Sequence, residues 1–209
     1  LGQSRSVTDA PREPANLLVR RTEHSPEDDY HRYAVSDDGI SAMTAPGIPG
    51  GMYTADGLEH NEKGTPSSMA MDHELQMAKR LRKIESFDFG PDWAEIRGEG
   101  PLCIITWGSV SGAVFEAMDR LAATGTQVRV LALRLLAPLR REALEAALAG
   151  VRRLWVVEQN HSGQLYHYLQ SAGVLRACSR SVARPGPLPL RPGEIVDVIL
   201  DDAGTGEET

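Results

Sequence analysis

Two stretches of the chain gather side chains that could do chemistry. In "GLEHNEKG", His60, Asn61 and Glu62 put an imidazole, an amide and a carboxylate side by side. Such groups can hold a metal or move a proton. A metal site of the usual kind needs a second His, Asp or Glu set at i+3 or i+4 on a helix, and no helix supplies one here, so no metal is expected. In "VVEQNHSGQ", Glu158, Asn160, Gly163 and Gln164 close an apolar run. At a strand end these groups could face a ligand or another subunit, or turn inward and satisfy the loop's own N–H groups. Both readings stand. A third stretch, "TWGSVSG" at 106–112, could offer N–H groups to an anion, but it matches neither G-x-x-x-x-G-K-[ST] nor G-x-G-x-x-G, and a plain strand-to-helix turn is favoured. No G-x-S-x-G elbow occurs. The two cysteines, Cys103 and Cys178, lie in no C-x-x-C motif. They are too few for an iron–sulfur cluster or a structural zinc site built within this chain alone. Cys103, inside an apolar run, reads as a buried small hydrophobe.

The elements that must position these groups follow from periodicity. Residues 34–66 are rich in Gly and Pro and have no hydrophobic period, so they read as a long loop of functional or disordered type. "SSMAMDHELQMAKRLRKIESF" then predicts a helix with Met71, Leu75, Ala78 and Leu81 on one stripe and Ser67 or Ser68 as its cap. Its acidic residues come early and its basic ones late, as the helix dipole favours. The methionines Met69, Met71 and Met77 read as core packing, and "KRLRK" as a solvated helix end. From residue 101, apolar runs at 102–110, 127–133 and 153–159 alternate with amphipathic segments, a further strand is expected within 174–183, and "RPGEIVDVIL" reads as a last helix. This alternation predicts an α/β fold: an open, mostly parallel sheet with helices on both faces, preceded by an extended Gly/Pro-rich arm and a connecting helix. The expected division is 1–66 arm and loop, 67–100 connecting helix and linker, 101–200 α/β domain, and 201–209 disordered tail.

Composition narrows the partners. Hydrophobic residues make up 41% and charged residues 24% of the 209, enough to build a core. A net charge of −7 argues against non-specific nucleic-acid binding. No apolar run reaches bilayer-spanning length, and no signal-peptide pattern opens the chain, so no membrane association is expected and the cysteine usage fits a reducing, cytoplasmic compartment. The first residue is Leu, and the chain is expected to be the C-terminal piece of a longer protein.

The string "RYAVSDDGISAMTAPGIPGGMYTADGLEHNEKGTPS", followed by "MAKRLRK" and then "VVEQNHSGQL", resembles the alpha subunit of 2-oxoacid:ferredoxin oxidoreductases, the 2-oxoglutarate type in particular. Residues 101–200 resemble the C-terminal domain of transketolase-like thiamine enzymes. The resemblance implies oxidative decarboxylation of a 2-oxoacid on thiamine diphosphate, electron transfer through iron–sulfur clusters to ferredoxin, and delivery of the acyl group to coenzyme A. It implies that the C-terminal domain is not catalytic and carries subunit contacts. The pyrimidine-binding domain would then lie upstream of Leu1, and the diphosphate- and Mg-binding domain in a beta subunit. On this resemblance no cofactor is bound by the present chain alone. A loop containing Asp38, Gly39, Ser41, Pro49, Gly50, Gly51, His60 and Asn61 would lie against the active-site cleft and the partner subunit, and Glu158, Asn160, Gly163 and Gln164 would form an interface cluster. One departure stands out. The family favours an Arg in the loop after Asp-Gly-Ile-Ser, where this chain reads "SAMTAPG". The alternative to an enzyme subunit is a non-catalytic α/β assembly module with an N-terminal arm.

Overall fold

The computed structural model describes residues 21–22 and 29–204. Much of the expected arm (1–20 and 23–28) and the last five residues lie outside the described residues. The chain divides into two units, Leu1–Asp88 and Phe89–Thr209.

In the first unit, residues 29–69 contain no regular strand or helix, only the isolated bridges Thr22–Met43 and His60–Pro66. Short turns close on themselves instead. Ser67 N–H donates to the Glu59 carbonyl at 2.8 Å and Asn61 N–H to that of Thr65 at 3.0 Å, which makes 59–67 a small hairpin-like turn. The helix α1, Ala70–Glu85, follows. Neither Ser67 nor Ser68 is its cap: the N-cap position is Met69, with no side-chain cap bond, and the Ser67 hydroxyl instead accepts from Met69 N–H and donates to Asp72.

The helix forms where the periodicity placed it, but its expected inner stripe faces out. Met71, Leu75 and Leu81 are exposed, Leu81 by 56%, and so are Met69 and Met77. The buried positions are Gln76 and Lys79. They belong to a second, polar stripe, Asp72, Gln76, Lys79 and Lys83, displaced by one residue from the apolar one. The methionines therefore do not pack a core within the described residues, and "KRLRK" is not simply a solvated end. The physical reason is the neighbour. The segment beside α1 presents backbone carbonyls that need donors, and Gln76, Lys79 and Arg82 supply them.

The second unit is a five-stranded sheet in the order β1-β3-β2-β4-β5, with β1 Ala94–Arg97, β2 Leu102–Trp107, β3 Val128–Leu133, β4 Arg153–Glu158 and β5 Ser179–Ala183. The four inner and later strands run parallel, and β1 pairs antiparallel with β3 at one edge. The edge strand lies inside what the sequence suggested was a linker, so the α/β unit starts before residue 101. Its turn residues hid it: β1 has only four residues, and Trp93 precedes it in a Gly/Pro/Asp-rich stretch.

Alternation along each strand builds two cores. Cys103, Ile105, Leu131, Leu133, Leu154 and Val156 pack on one face with Leu144 of α3 (Arg141–Ala147) and with Leu165 and Leu169 of α4 (Gln164–Ser171). Ile104, Val128, Val130, Trp155 and Val157 pack on the other with α2 (Ser111–Ala123) and α5 (Pro192–Gly204). The path from β2 to β3 carries α2 on one face. The path from β3 back across β2 to β4 carries α3 on the opposite face, as crossovers of one hand require when direction along the sheet reverses. Helix α5 continues through residues 201–204, so a disordered tail cannot begin at 201. The helix is pinned there by the Trp155 indole N–H, which donates to Asp202 at 2.8 Å.

Leu131 is fully buried at the centre of β3. Leu131→Ala is expected to lower the stability of the α/β unit by about 2–5 kcal/mol, read as a lower midpoint in denaturant unfolding.

Candidate functional site

The loop residues singled out by the sequence fall into two groups and a tip. Asp38, Gly39 and Ser41 lie on the polar side of α1. Gly39, at φ +73°, sits so close to the helix that a Cβ there would stand 2.5 Å from the Lys79 carbonyl oxygen. Asp38 accepts from Ile40 N–H and pairs with Arg21, and these contacts, the first above all, hold its carboxyl below the usual range. His60 and Asn61 belong to the 59–67 turn. His60 is 3% exposed and stacks on Tyr33 at 4.6 Å, nearly parallel, with its Nε2 3.2 Å from Asp56 Oδ1. The Asn61 side chain accepts from Thr65 N–H. Pro49 and Gly50 are exposed at the tip, beside the 91%-exposed Met52, whereas Gly51 is buried against Thr44, whose hydroxyl donates to the Gly51 carbonyl.

One segment, 33–36, joins the two groups. Its carbonyls are served from α1: Gln76 Nε2 and Lys79 Nζ both donate to Tyr33 O at 2.9 Å, and Arg82 Nη1 to Ser36 O at 2.7 Å. Its N–H groups turn the other way: Tyr33 N–H donates to the Glu62 carbonyl at 3.0 Å, and Val35 N–H to the Glu62 carboxylate at 2.9 Å. Lys79 also donates to Ser41 Oγ, which donates onward to the Ala34 carbonyl. Arg80 and His73 anchor the turn through Glu59; chiefly the Arg80 bonds bring that carboxyl down to about 2. Sequence reasoning missed Tyr33, Gln76, Lys79 and Arg82. The signal was present as the polar 72/76/79/83 stripe beside a long loop without secondary structure.

In the α/β unit, β2 and β4 are neighbours whose outgoing connections run in opposite directions, which makes their C-terminal ends the switch point of the sheet. "TWGSVSG" leaves β2 there as a 3-10 turn, Gly108–Val110, running into α2. Across from it, Glu158 is fully buried. It accepts from Leu165 N–H at 2.8 Å, from Tyr166 N–H at 3.0 Å and from the Asn160 amide. Asn160 Oδ1 in turn accepts from Ser162, Gly163 and Gln164 N–H. The pair thus caps α4, which answers the inward reading for Glu158. Gly163 precedes the helix at φ +64°, where a Cβ would meet Ser181 Oγ at 2.9 Å. The outward groups at this edge are Trp107, His161, Ser162 and Gln164. Cys103 is buried as expected, and burial pushes its thiol up to about 12.

Among the described residues no three His, Cys, Asp or Glu side chains gather as an ion site. With one cysteine buried and protonated and the other isolated on the surface, these residues do not fit an iron–sulfur cluster. No described helix is long and apolar enough to cross a membrane.

With this geometry in hand, comparison with known proteins defines the class first. Residues 92–190 match the family model described as transketolase, C-terminal domain, and the α/β unit has a fold like that of this domain. Similarity reaches further than that domain. Over 94% of its length the chain is 32% identical to 2-oxoacid:ferredoxin oxidoreductase 2, subunit alpha, of Aeropyrum pernix. It is 30% identical over 64% of its length to the corresponding alpha subunit of Saccharolobus solfataricus. It is 32% identical over 57% to 2-oxoglutarate oxidoreductase subunit KorA of Mycobacterium tuberculosis. Among solved structures, a 2-oxoglutarate:ferredoxin oxidoreductase from Magnetococcus marinus, with 2-oxoglutarate, coenzyme A and succinyl-CoA bound, superposes with a TM-score of 0.73 at 34% identity over 88% of the chain. The chain spans 31%, 22% and 32% of the A. pernix, S. solfataricus and M. marinus chains respectively. Its homologues are thus alpha subunits of oxidoreductases, matched over part of their length.

Two measurements test the site's construction. Glu158→Ala leaves three donors without an acceptor and is expected to cost about 1–3 kcal/mol or more in the unfolding of the α/β unit, with Glu158→Gln costing less because one acceptor oxygen remains. Burial brings the Lys79 ammonium down to about 8 from the ordinary 10.5. The folded chain therefore releases this proton before the unfolded chain does, and stability of the first unit should rise as pH climbs from about 8 to 10.5. Lys79→Met should remove that rise in pH-dependent denaturation.

Proposed function

We propose that the chain is the C-terminal part of the alpha subunit of a thiamine-diphosphate-dependent 2-oxoacid:ferredoxin oxidoreductase, which oxidatively decarboxylates a 2-oxoacid to an acyl-CoA and passes the electrons to ferredoxin. The observation that supports this reading best is that similarity to alpha subunits covers 94% of the chain, and so takes in the loop unit as well as the widely shared transketolase-type domain. An assembly module that merely shared the C-terminal domain would not need the loop unit.

The substrate proposed is 2-oxoglutarate, since the KorA subunit and the M. marinus enzyme carry that name at 32% and 34% identity. Thiamine diphosphate, when bound in the assembly, supplies the carbanion-stabilising centre for decarboxylation. On this reading the cofactor, its Mg ion and the clusters are held by other parts of the assembly. The contribution of this chain is architectural: the exposed loop tip around Pro49 and Gly50 lies against the cleft and the beta subunit, and the strand-end edge serves subunit contact. The outward apolar face of α1 supports the same reading, because exposed apolar helix faces mark interaction sites.

The test uses the full-length alpha subunit co-purified with its neighbouring beta subunit. Reduction of viologen or ferredoxin that depends on a 2-oxoacid and coenzyme A is expected, with 2-oxoglutarate the preferred substrate. The 1–209 chain with thiamine diphosphate is expected to be inactive. No reduction with any 2-oxoacid by the assembled enzyme overturns the reading.

A further inference from the structure

The polar face of α1 is an unusual thing to bury. Lys79 is 5% exposed, yet among the described residues no carboxylate bonds it; its ammonium is spent on one backbone carbonyl and one serine hydroxyl. Burying an ammonium in this way is costly, and the same helix carries Met71, Leu75, Met77 and Leu81 on its outer side, exposed. A helix built only to cover a surface would turn those inward. What the polar face achieves is geometric. Gln76, Lys79 and Arg82 together fix the carbonyls of Tyr33 and Ser36, and Lys79 ties the same point to Ser41. The segment so fixed is also held from its other side by Glu62, and its Tyr33 ring carries the His60 stack. Ser41 and Gly39 begin the Gly-rich loop; His60 and Glu62 end it. A single helix face therefore sets the positions of both ends of the loop relative to each other.

Resting on the function proposed above, we infer that Gln76, Lys79 and Arg82 are positioning residues: they hold the two ends of the 38–62 loop in register, so that its tip is presented ready-shaped to the active-site cleft. They touch no reacting atom in this scheme. They act by keeping the loop from spending binding energy on becoming ordered when substrate arrives. Lys79 is the pivotal member, because it alone bonds both the 33–36 segment and the start of the loop.

The inference is tested in the assembled enzyme, full-length alpha subunit with beta, by two independent readouts. The first is amide hydrogen exchange, which needs no turnover. Lys79→Met keeps the stem and removes the donor. It is expected to speed exchange over 33–53 about tenfold or more, with the strands β2 and β4 unchanged. Ser41→Ala removes the far partner of Lys79 without altering the helix, and is expected to speed exchange over the same residues by a smaller factor. It also serves if the Lys79 variant fails to assemble. The second readout is kinetic. A roughly tenfold rise in KM for the 2-oxoacid with a much smaller change in kcat is expected for Lys79→Met, since ordering must then be supplied by substrate binding. Partial recovery of Lys79→Ala by added propylammonium would mark the ammonium itself, not general packing, as the positioning group. Unchanged loop exchange in both variants overturns the inference. So does faster exchange with an unaltered KM in an active enzyme. If loop exchange responds as expected but the wild-type assembly reduces nothing with any 2-oxoacid, the clamp between helix and loop stands, and it is the proposed function that falls.

Discussion

A backbone that enters neither a helix nor a sheet must find hydrogen-bond partners elsewhere, and in this protein most of the first unit depends on where it finds them. The carbonyls of Tyr33 and Ser36 take theirs from Gln76, Lys79 and Arg82 of α1. That requirement decides which way the helix faces. Donors must turn inward, so the apolar stripe one residue away turns out, and the unit is held by directed polar contacts where a hydrophobic seam would otherwise be expected. Polar contacts are less forgiving of displacement than apolar ones, because a hydrogen bond weakens steeply with distance and angle. A loop held this way has a defined shape in spite of having almost no regular secondary structure.

The α/β unit solves the same problem by the opposite means. Its backbone is paired in a parallel ladder, and its side chains are free to alternate between two apolar cores. Polar groups enter only where the ladder ends. Thr106 donates to the Val157 carbonyl inside the core, and the Glu158–Asn160 pair collects the N–H groups that open α4. The strand-end cluster is thus a cap first. What remains for contact is the outer rim of that edge, with Trp107 and His161 on it.

Much of this was legible in the sequence. Apolar runs such as "LCII" and "LWVV" announce strands buried on both faces, and Ile195 with Ile199 announces the inner side of α5; Cys103–Ile105, Leu154–Val157, Ile195 and Ile199 are buried as their patterns require. The edge strand β1 escaped notice because four residues between turn formers carry too little pattern to register. The facing of α1 escaped for a different reason. Periodicity tells which residues share a stripe, but the choice between two adjacent stripes belongs to the partner, and the partner was a segment with no pattern of its own. The same holds for Tyr33, whose importance lies in its carbonyl and its ring stack, neither of which residue type alone discloses. The resemblance to oxidoreductase alpha subunits singled out this loop while leaving unstated what keeps it in place.

The glycines of that loop, alike in the sequence, are unequal in space. At Gly39 and Gly51 a single methyl would collide with the Lys79 carbonyl or the Thr44 side chain, whereas at Gly57 nothing lies within 4 Å and the backbone is not in the left-handed region. A population of descendants drifting under selection for the same loop would therefore lose Gly57 early and keep Gly39 and Gly51 to the end. The pattern of which glycines vary would trace where the loop closes on the helix and on itself without any coordinates at all.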